Sequence, residues 1–305
     1  MAGYIVYNGF WNQTPSDPVS RLHQAFARRG IALTPVPNTA FCVCVAPSVT
    51  VSVNGAALSS RDFVLFWDKD TRLALALEQS GVRLYNRAAA IMACDDKSET
   101  HRLLSAAGVP MPKTWLAPMT YVDVTAAVEP FLMAAERDLG FPMVLKECYG
   151  SFGNQVFLVN NGDELRTLSY SRGARPFLLQ EYIAASFGED TRLYCVGGRV
   201  AAAIRRRSDG DFRANVELGG RAEAYTPTER ERELALQCCE TLGLHFGAID
   251  FLHDHQGNPL VCEVNSNAYM AGLIAGTGIN IADVIADYVI EQEKPYGRLE
   301  GHFCQ

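Results

Sequence analysis

The 305-residue chain has no basic surplus: 27 Lys and Arg stand against 34 Asp and Glu, a formal charge of −7. Nucleic-acid and anionic-membrane binders draw much of their affinity from cations that neutralise phosphate, so neither partner is expected. Hydrophobic residues make up 48% of the chain, yet no run approaches the roughly 20 apolar residues of a membrane helix. The opening MAGYIVYNGFW carries no basic residue ahead of its apolar stretch, so it reads as a first strand and not as a leader. There are nine cysteines but no C-x-x-C; Cys42 and Cys44 are two apart, and Cys238 and Cys239 are adjacent. Such spacing suits neither a disulfide framework nor a zinc site, and points to small buried thiols in a reducing, cytoplasmic setting. The G-x-x-x-x-G-K-[ST] and G-x-G-x-x-G phosphate loops are absent too.

Strand and helix signals alternate through the first ninety residues: GYIVYNGF, DPVSRLHQAFARRG, DFVLFW, TRLALALEQSG, VRLYN. Asp17 caps the first of these helices, Pro18 opens it and Gly30 lies past its end, which together predict a small α/β unit. NGFWNQ is read as the end of a strand. A boundary is placed near Asp95, giving domains at 1–94, 95–184 and 185–305. The second begins with helix and a Pro110–Pro112 linker, then alternates FPMVLKE, a glycine loop, QVFLV and FLLQEYI. The third holds DTRLYCVGGRVAAAIRR, turning at Gly197-Gly198, a long helix, and the strands FGAIDFL and PLVCEVN.

PLVCEVNSN starts as an apolar strand and then carries Glu263, Asn265 and Asn267. Strand alternation assigns these three to one face with Val261, and Cys262, Val264 and Ser266 to the other. The turn HDHQGNP joins it to FGAIDFL. A hairpin centred between Gln256 and Gly257 sets Asp250 opposite Glu263, with Asn265 next on that face. Two adjacent carboxylates repel unless a cation lies between them, and an all-oxygen set favours magnesium or manganese over zinc. A solvent-facing hairpin with incidental polar residues is the other explanation, and the flanking apolar runs argue against it. His253 and His255 are assigned to the hairpin tip.

In MVLKECYGSFGNQVFLV, Lys146 ends a strand and Gly150, Ser151 and Gly153 form a loop whose backbone N–H groups suit phosphate. QEYIAASFGEDTR supplies Glu181, Tyr182, Asp190 and Arg192; IRRRSDGDFRAN supplies Arg205, Arg206, Arg207, Arg213 and Asn215. Alternation sends neighbouring arginines to opposite faces, so only some of them reach a site. Trp67 and Asp68 end a strand where an open α/β sheet places ligands, and are expected substrate contacts.

Lys146 with its glycine loop, QEYI, EDTR, DFRAN, AID and EVN, in this order, resemble the ATP-grasp fold and its RimK-like group of carboxylate–amine ligases, over about two-thirds of the chain. The resemblance implies an N-terminal pre-ATP-grasp α/β domain followed by a two-part ATP-grasp domain with nucleotide between its subdomains. It places Lys97 and Lys146 on phosphates, Glu181 and Tyr182 at adenine, Asp190 at the nucleotide, Arg213 and Asn215 at its phosphate end. It also places Asp250, Glu263 and Asn265 on magnesium, with two ions and manganese as substitute. Lys146, Arg206 and Arg213 are the expected catalytic cations. The implied reaction consumes ATP, activates a carboxylate as an acyl phosphate and joins it to an amine such as an amino acid. The acceptor would be a peptide, a protein or a small molecule, and the enzyme a homo-oligomer. The chain departs from the family where a small-residue and proline-glycine turn often follows E-V-N; here SNAYMAG stands, which leaves the acceptor open, and Asn267 and Arg192 are further expected substrate contacts. A phosphotransferase or a silent nucleotide-binding module built on the same fold are the alternatives.

Overall fold

The computed structural model describes residues 3–10, 17–121, 126–216 and 219–294; residues 11–13 of NGFWNQ lie outside them. The first unit runs β1 (Gly3–Tyr7), α1 (Asp17–Ala27), β2 (Leu33–Pro37), β3 (Phe41–Val45), β4 (Val49–Val53), β5 (Ala56–Ala57), β6 (Phe63–Phe66), α2 (Thr71–Gln79) and β7 (Arg83–Tyr85). Strands β2-β1-β6-β7 form a parallel sheet. The helix over DPVSRLHQAFARRG stops at Ala27, three residues short of Gly30, which takes φ +72°. Helix α2 starts at a side-chain cap, with Asp70 accepting from Leu73 N. Alternation in the sequence did not reveal the antiparallel meander β3-β4-β5, whose last turn, Asn54-Gly55, has both φ values positive.

Helices α3 (Ala88–Asp95) and α4 (Lys97–Ala106) lead to the second unit: β8 (Thr114–Leu116), α5 (Glu129–Leu139), β9 (Met143–Glu147), β10 (Val156–Val159), α6 (Gly162–Tyr170) and β11 (Phe177–Glu181). Its antiparallel sheet, ordered β10-β9-β11-β8, packs its own core of Leu132, Leu145, Leu165 and Leu179. The third unit comprises β12 (Glu189–Val196), β13 (Arg199–Arg207), β14 (Arg221–Ala224), α7 (Glu229–Leu242), β15 (Phe246–His253), β16 (Pro259–Asn265), α8 (Ala271–Thr277) and α9 (Ile281–Glu293), with sheet order β14-β13-β12-β15-β16. A Thr228–Glu231 capping box fixes the start of α7. Leu193, Ile249, Phe251, Val261 and Val264 pack on α7 on one face of that sheet. On the other face, residues of α9 share a core with β1, α1 and β6 of the first unit, where Ile285 and Val289 join Ile5, Leu22 and Phe63. Among the described residues no single helix is long and apolar enough to cross a membrane.

The hairpin β15–β16 differs from expectation in one instructive way. Asp250 does face Glu263, and Ala248 faces Asn265. Beyond them the register slips by one, so that Phe251 faces Val261 and the turn centres on Gln256. Cys262 is the extra residue of a β-bulge. The bulge breaks the assumed alternation: Val261 and Val264 both enter the core, while Cys262 and Glu263 both face the cleft between the sheets. His253 does more than decorate the tip, since its Nε2 lies 3.1 Å from Glu231 Oε1.

Candidate active site

An open cleft of about 840 Å³ lies between the β9-β10-β11 face of one sheet and the β12-β13-β15-β16 face of the other. Of the residues expected at nucleotide and metal, Lys97, Lys146, Gly150, Ser151, Gly153, Glu181, Tyr182, Asp190, Arg206, Arg213, Asn215, Asp250 and Glu263 line it. Asn265 does not line it, and its Nδ2 is buried without a partner. Arg192 is buried behind the lining, and Trp67 lies in the core, stacked on Phe246 with centroids 5.8 Å apart, away from this cleft. Asp68 is also buried, held by Asn8 Nδ2 at 3.2 Å and the Lys69 N–H at 2.6 Å, and burial pushes its carboxyl up. Asn267, two residues past β16, does not line the cleft either.

Charged rungs cross the floor of the cleft. The ladder pairs Asp190 with Arg206, Arg192 with Asp250, and Asp250 with Glu263. Arg192 grips Asp250 with both arms, at 2.6 and 2.7 Å. Arg206 grips Asp190 in the same way, at 2.6 Å each, and adds a bond to Asp250 Oδ2 at 2.9 Å. Alternation settles the arginine triplet: Arg206 faces the cleft, whereas Arg205 lies over the Tyr225 ring and Arg207 pairs with Glu189 and Glu223. Burial works against both carboxylates. At Asp250 two arginines outweigh it and hold the carboxyl below its usual range; Asp190 has one close arginine, and there burial prevails.

Cations line the opposite wall. Lys146, buried on β9, donates to Cys262 Sγ at 3.3 Å, and Lys97 lies 3.5 Å from Glu263 Oε1. His101, buried between them, has Nδ1 2.7 Å from the Lys97 carbonyl and Nε2 2.9 Å from Gln180 Nε2. The Gln180 amide nitrogen only donates, so His101 Nε2 accepts and the proton sits on Nδ1. Burial, with the nearby Lys146 charge, pushes His101 down to about 4, so it is neutral at ordinary pH and adds no charge beside the two lysines. The apolar part of the cleft, Val144 and Val156 opposite Ile183 and Leu252, was invisible to motif reading because its residues look like any strand core.

The glycine loop between β9 and β10 is held from several sides. Gly153 adopts φ +73° and its carbonyl accepts from Arg213 Nη1 at 2.6 Å, while the Gly150 carbonyl accepts from Lys97 Nζ at 3.3 Å. Ser151 Oγ accepts from Lys69 at 3.3 Å. Phe152, a non-glycine residue at φ +62°, meets Tyr269 edge-on at 5.8 Å. Arg213 thus straps the loop to the third unit, with its other nitrogens on Asp211.

Donor chemistry tests whether a cation fits. A carboxylate offers about four lone-pair sites; Asp250 uses three on arginine, which leaves one on Oδ1. Glu263 faces the Lys97 ammonium, a single positive charge where the two acidic side chains face each other. Among the described residues no three His, Cys, Asp or Glu side chains converge. A cation here would take oxygens of Asp250 and Glu263 and draw the rest from phosphate or water, a donor set that suits magnesium.

Comparison with known proteins agrees with this geometry. Residues 94–289 match the RimK-like ATP-grasp domain. The chain is 34% identical over 227 residues to zebrafish (Danio rerio) β-citrylglutamate synthase B, covering 73% of this chain and 54% of that protein. It is 32% identical over 224 residues to a probable α-L-glutamate ligase of Legionella pneumophila, covering 72% and 70% respectively. The chain thus spans about half the length of the first of these relatives. Its fold is shared with the ATP-grasp ligase PsnB, solved with a precursor variant, Mg and ADP: TM-score 0.68, 19% identity, 96% of this chain and 99% of that one. The matched domain covers well over half of the sequence, and the chain belongs to the RimK-like ATP-grasp family.

Proposed function

We propose that this chain is an ATP-dependent carboxylate–amine ligase. The observation that carries the proposal is the cleft itself, where Asp250 and Glu263 on a bulged hairpin face Lys97, Lys146 and a strapped glycine loop. The adenine would lie between Val144 and Leu252, read by backbone groups of Glu181 and Tyr182, with its phosphates toward Lys97, Lys146 and the loop. Two Mg²⁺ ions, or Mn²⁺ in their place, would be held by Asp250 and Glu263, with the Asn265 amide as a further donor once its side chain turns into the cleft, and would neutralise phosphate charge.

The chemistry asks for alignment and charge neutralisation more than covalent work. A substrate carboxylate oxygen attacks the γ-phosphorus as the bond to the β-phosphate oxygen breaks, giving acyl phosphate and ADP. The amine nitrogen then attacks the acyl carbon, the carbon–oxygen bond to phosphate breaks, and nitrogen loses a proton. Lys146 and the Nη1 of Arg206, which its carboxylate bonds leave unengaged, favour negative charge on the transferring group and on the tetrahedral oxygen. The loop, closed by Arg213, Lys69 and the Phe152–Tyr269 contact, keeps water from the acyl phosphate. Both relatives carry glutamate in their names, which supports glutamate as the amine.

The test is ADP release with each of the twenty amino acids against a panel of mono- and dicarboxylic acids, with the product identified by mass spectrometry. ADP formation that requires both partners is the expected result. Carboxylate-only ADP formation with a phosphorylated product would make the chain a phosphotransferase, and tight nucleotide binding without turnover would make it a silent module. Glu263→Ala is expected to abolish ligation at an unchanged melting temperature.

A further inference from the structure

Residues 266–270 follow the β15–β16 hairpin as a short strap. Burial alternates along it: Val264, Ser266, Ala268 and Met270 are buried, whereas Asn265, Asn267 and Tyr269 are not. Beneath the strap lies a crevice of about 220 Å³ lined by Trp67, Tyr194, Ser266, Ala268 and Met270, so packing supports it incompletely there. Hydrogen bonds to its carbonyls supply what packing lacks. The Asn86 amide donates to Ser266 O at 2.9 Å and to Phe246 O at 2.8 Å, and its oxygen accepts from His245 N and Phe246 N. At the other end the Tyr194 hydroxyl donates to Tyr269 O at 2.6 Å.

The sequence of β12 explains how Tyr194 reaches the strap. Tyr194 stands two residues beyond Arg192 and four beyond Asp190, on the same face of the strand. Its ladder neighbours are Ala202 on β13 and Ala248 on β15, both too small to crowd the ring. Asn265 comes next in that row, opposite Ala248. The Tyr194 side chain is buried, and burial pushes its phenol up, so the hydroxyl keeps its proton and stays a donor.

The ring of Tyr269 meets Phe152 of the glycine loop edge-on at 5.8 Å. Phe152 holds φ +62°, a backbone state that non-glycine residues seldom adopt and that persists only where neighbours enforce it. Tyr269 is 38% exposed, so its ring is only as fixed as the backbone that carries it. We propose that Tyr194 is a positioning residue: through the Tyr269 carbonyl, its hydroxyl sets the Tyr269 ring against Phe152 and keeps the glycine loop shut while the acyl phosphate exists. The inference rests on the ligase reading above and adds a group that lies outside the cleft lining. One buried oxygen thus joins the floor strand of the cleft to its lid.

Tyr194→Phe removes that oxygen and leaves the ring. Hydrogen–deuterium exchange of residues 149–154, between β9 and β10, is expected to speed up at least about threefold, with and without a non-hydrolysable ATP analogue. In turnover, phosphate released per amide formed is expected to rise at least about threefold, while the KM for ATP stays within about twofold. Thr191→Val is the control, since it removes a buried hydroxyl of the same strand that donates to Glu231 on the opposite face. It is expected to lower the melting temperature without moving loop exchange or the ratio of phosphate to amide. Tyr194→Phe combined with Tyr269→Ala is expected to do no more than Tyr269→Ala alone, because both act through one contact. Unchanged loop exchange in Tyr194→Phe, an equal change in Thr191→Val, or additive effects in the double variant would each overturn the inference. A wild-type chain that forms no amide would instead overturn the ligase reading, and loop exchange would still decide whether Tyr194 holds the loop.

Discussion

Replacing Arg206 by methionine isolates the buried network in the cleft floor. The Arg206 side chain is 3% exposed and touches two carboxylates, Asp190 at 12% and Asp250 at 4%. Asp250 keeps Arg192, but Asp190 loses its bidentate partner. Removing one member of a buried pair typically costs about 3–5 kcal/mol, because the remaining charge stays desolvated. Unfolding entropy of roughly 2.1 cal/mol/K per residue gives about 0.64 kcal/mol/K over 305 residues, so the melting point should fall by about 5–8 °C. Differential scanning fluorimetry measures this directly, with Arg207→Met as control. Arg207 is next in sequence but half exposed, and solvent screens its pairs with Glu189 and Glu223, so their loss should cost little. The deficit should also depend on pH. Burial already holds the folded pKa of Asp190 above its unfolded one, and loss of Arg206 would raise it further. Stability from such a group is present at low pH and is lost as pH rises through the folded value. The variant should therefore approach the wild type as the solution is acidified and fall furthest behind it above neutrality. Adding Asp190→Asn should recover part of the loss. A shift under about 2 °C for Arg206→Met, or one equal to that of Arg207→Met, would refute the idea that this network stabilises the sheet.

Three further outcomes are expected. His101, held at about 4 by burial against an ordinary 6.5, binds its proton more readily when unfolded, so stability should drop as pH falls from about 6.5 to 4. Urea midpoints across that window, compared with those of His101→Gln, would show it; identical pH profiles would contradict it. Gly150→Ala places a Cβ 2.4 Å from Gln155 Oε1 at φ +145°, which should displace the loop and raise the KM for ATP well beyond any effect on melting; an unchanged KM would exclude a role for the loop in nucleotide binding. Tyr269→Ala removes the edge contact to Phe152, so ATP hydrolysis without amide formation should rise relative to ligation; a constant ratio of phosphate to amide would show that this contact does not exclude water.

The parts legible in the sequence were those set by local rules. Asp250 and Glu263 could be set opposite each other because turn residues and apolar runs fix a hairpin. The bulge could not be foreseen, because no residue type at Cys262 announces it, and it reassigned Cys262 from the core face to the cleft. Alternation correctly split Arg205, Arg206 and Arg207 between faces, but not which face met the cleft, since that depends on the packing of α7. Trp67 ends a sheet strand, where ligands often bind, but the third unit packs against this end, and Trp67 stacks on Phe246 away from the large cleft. The clasp of Asp250 by Arg192 and Arg206 joins three strands, a register no local pattern encodes.

Helix α9 has a consequence for recombination. It lies in the third unit, yet Arg28 and Arg29 of the first unit grip its Asp283 and Asp287, and its Glu293 accepts from Tyr85 and Arg83. Its apolar face fills the core beneath α1. Residues 3–85 and helix α9 are therefore one inheritable module interrupted by the cleft-forming units. Exchanging residues 1–94 alone for those of a relative would orphan both ion pairs and core, whereas a graft that carries residues 281–293 along would keep its native seam.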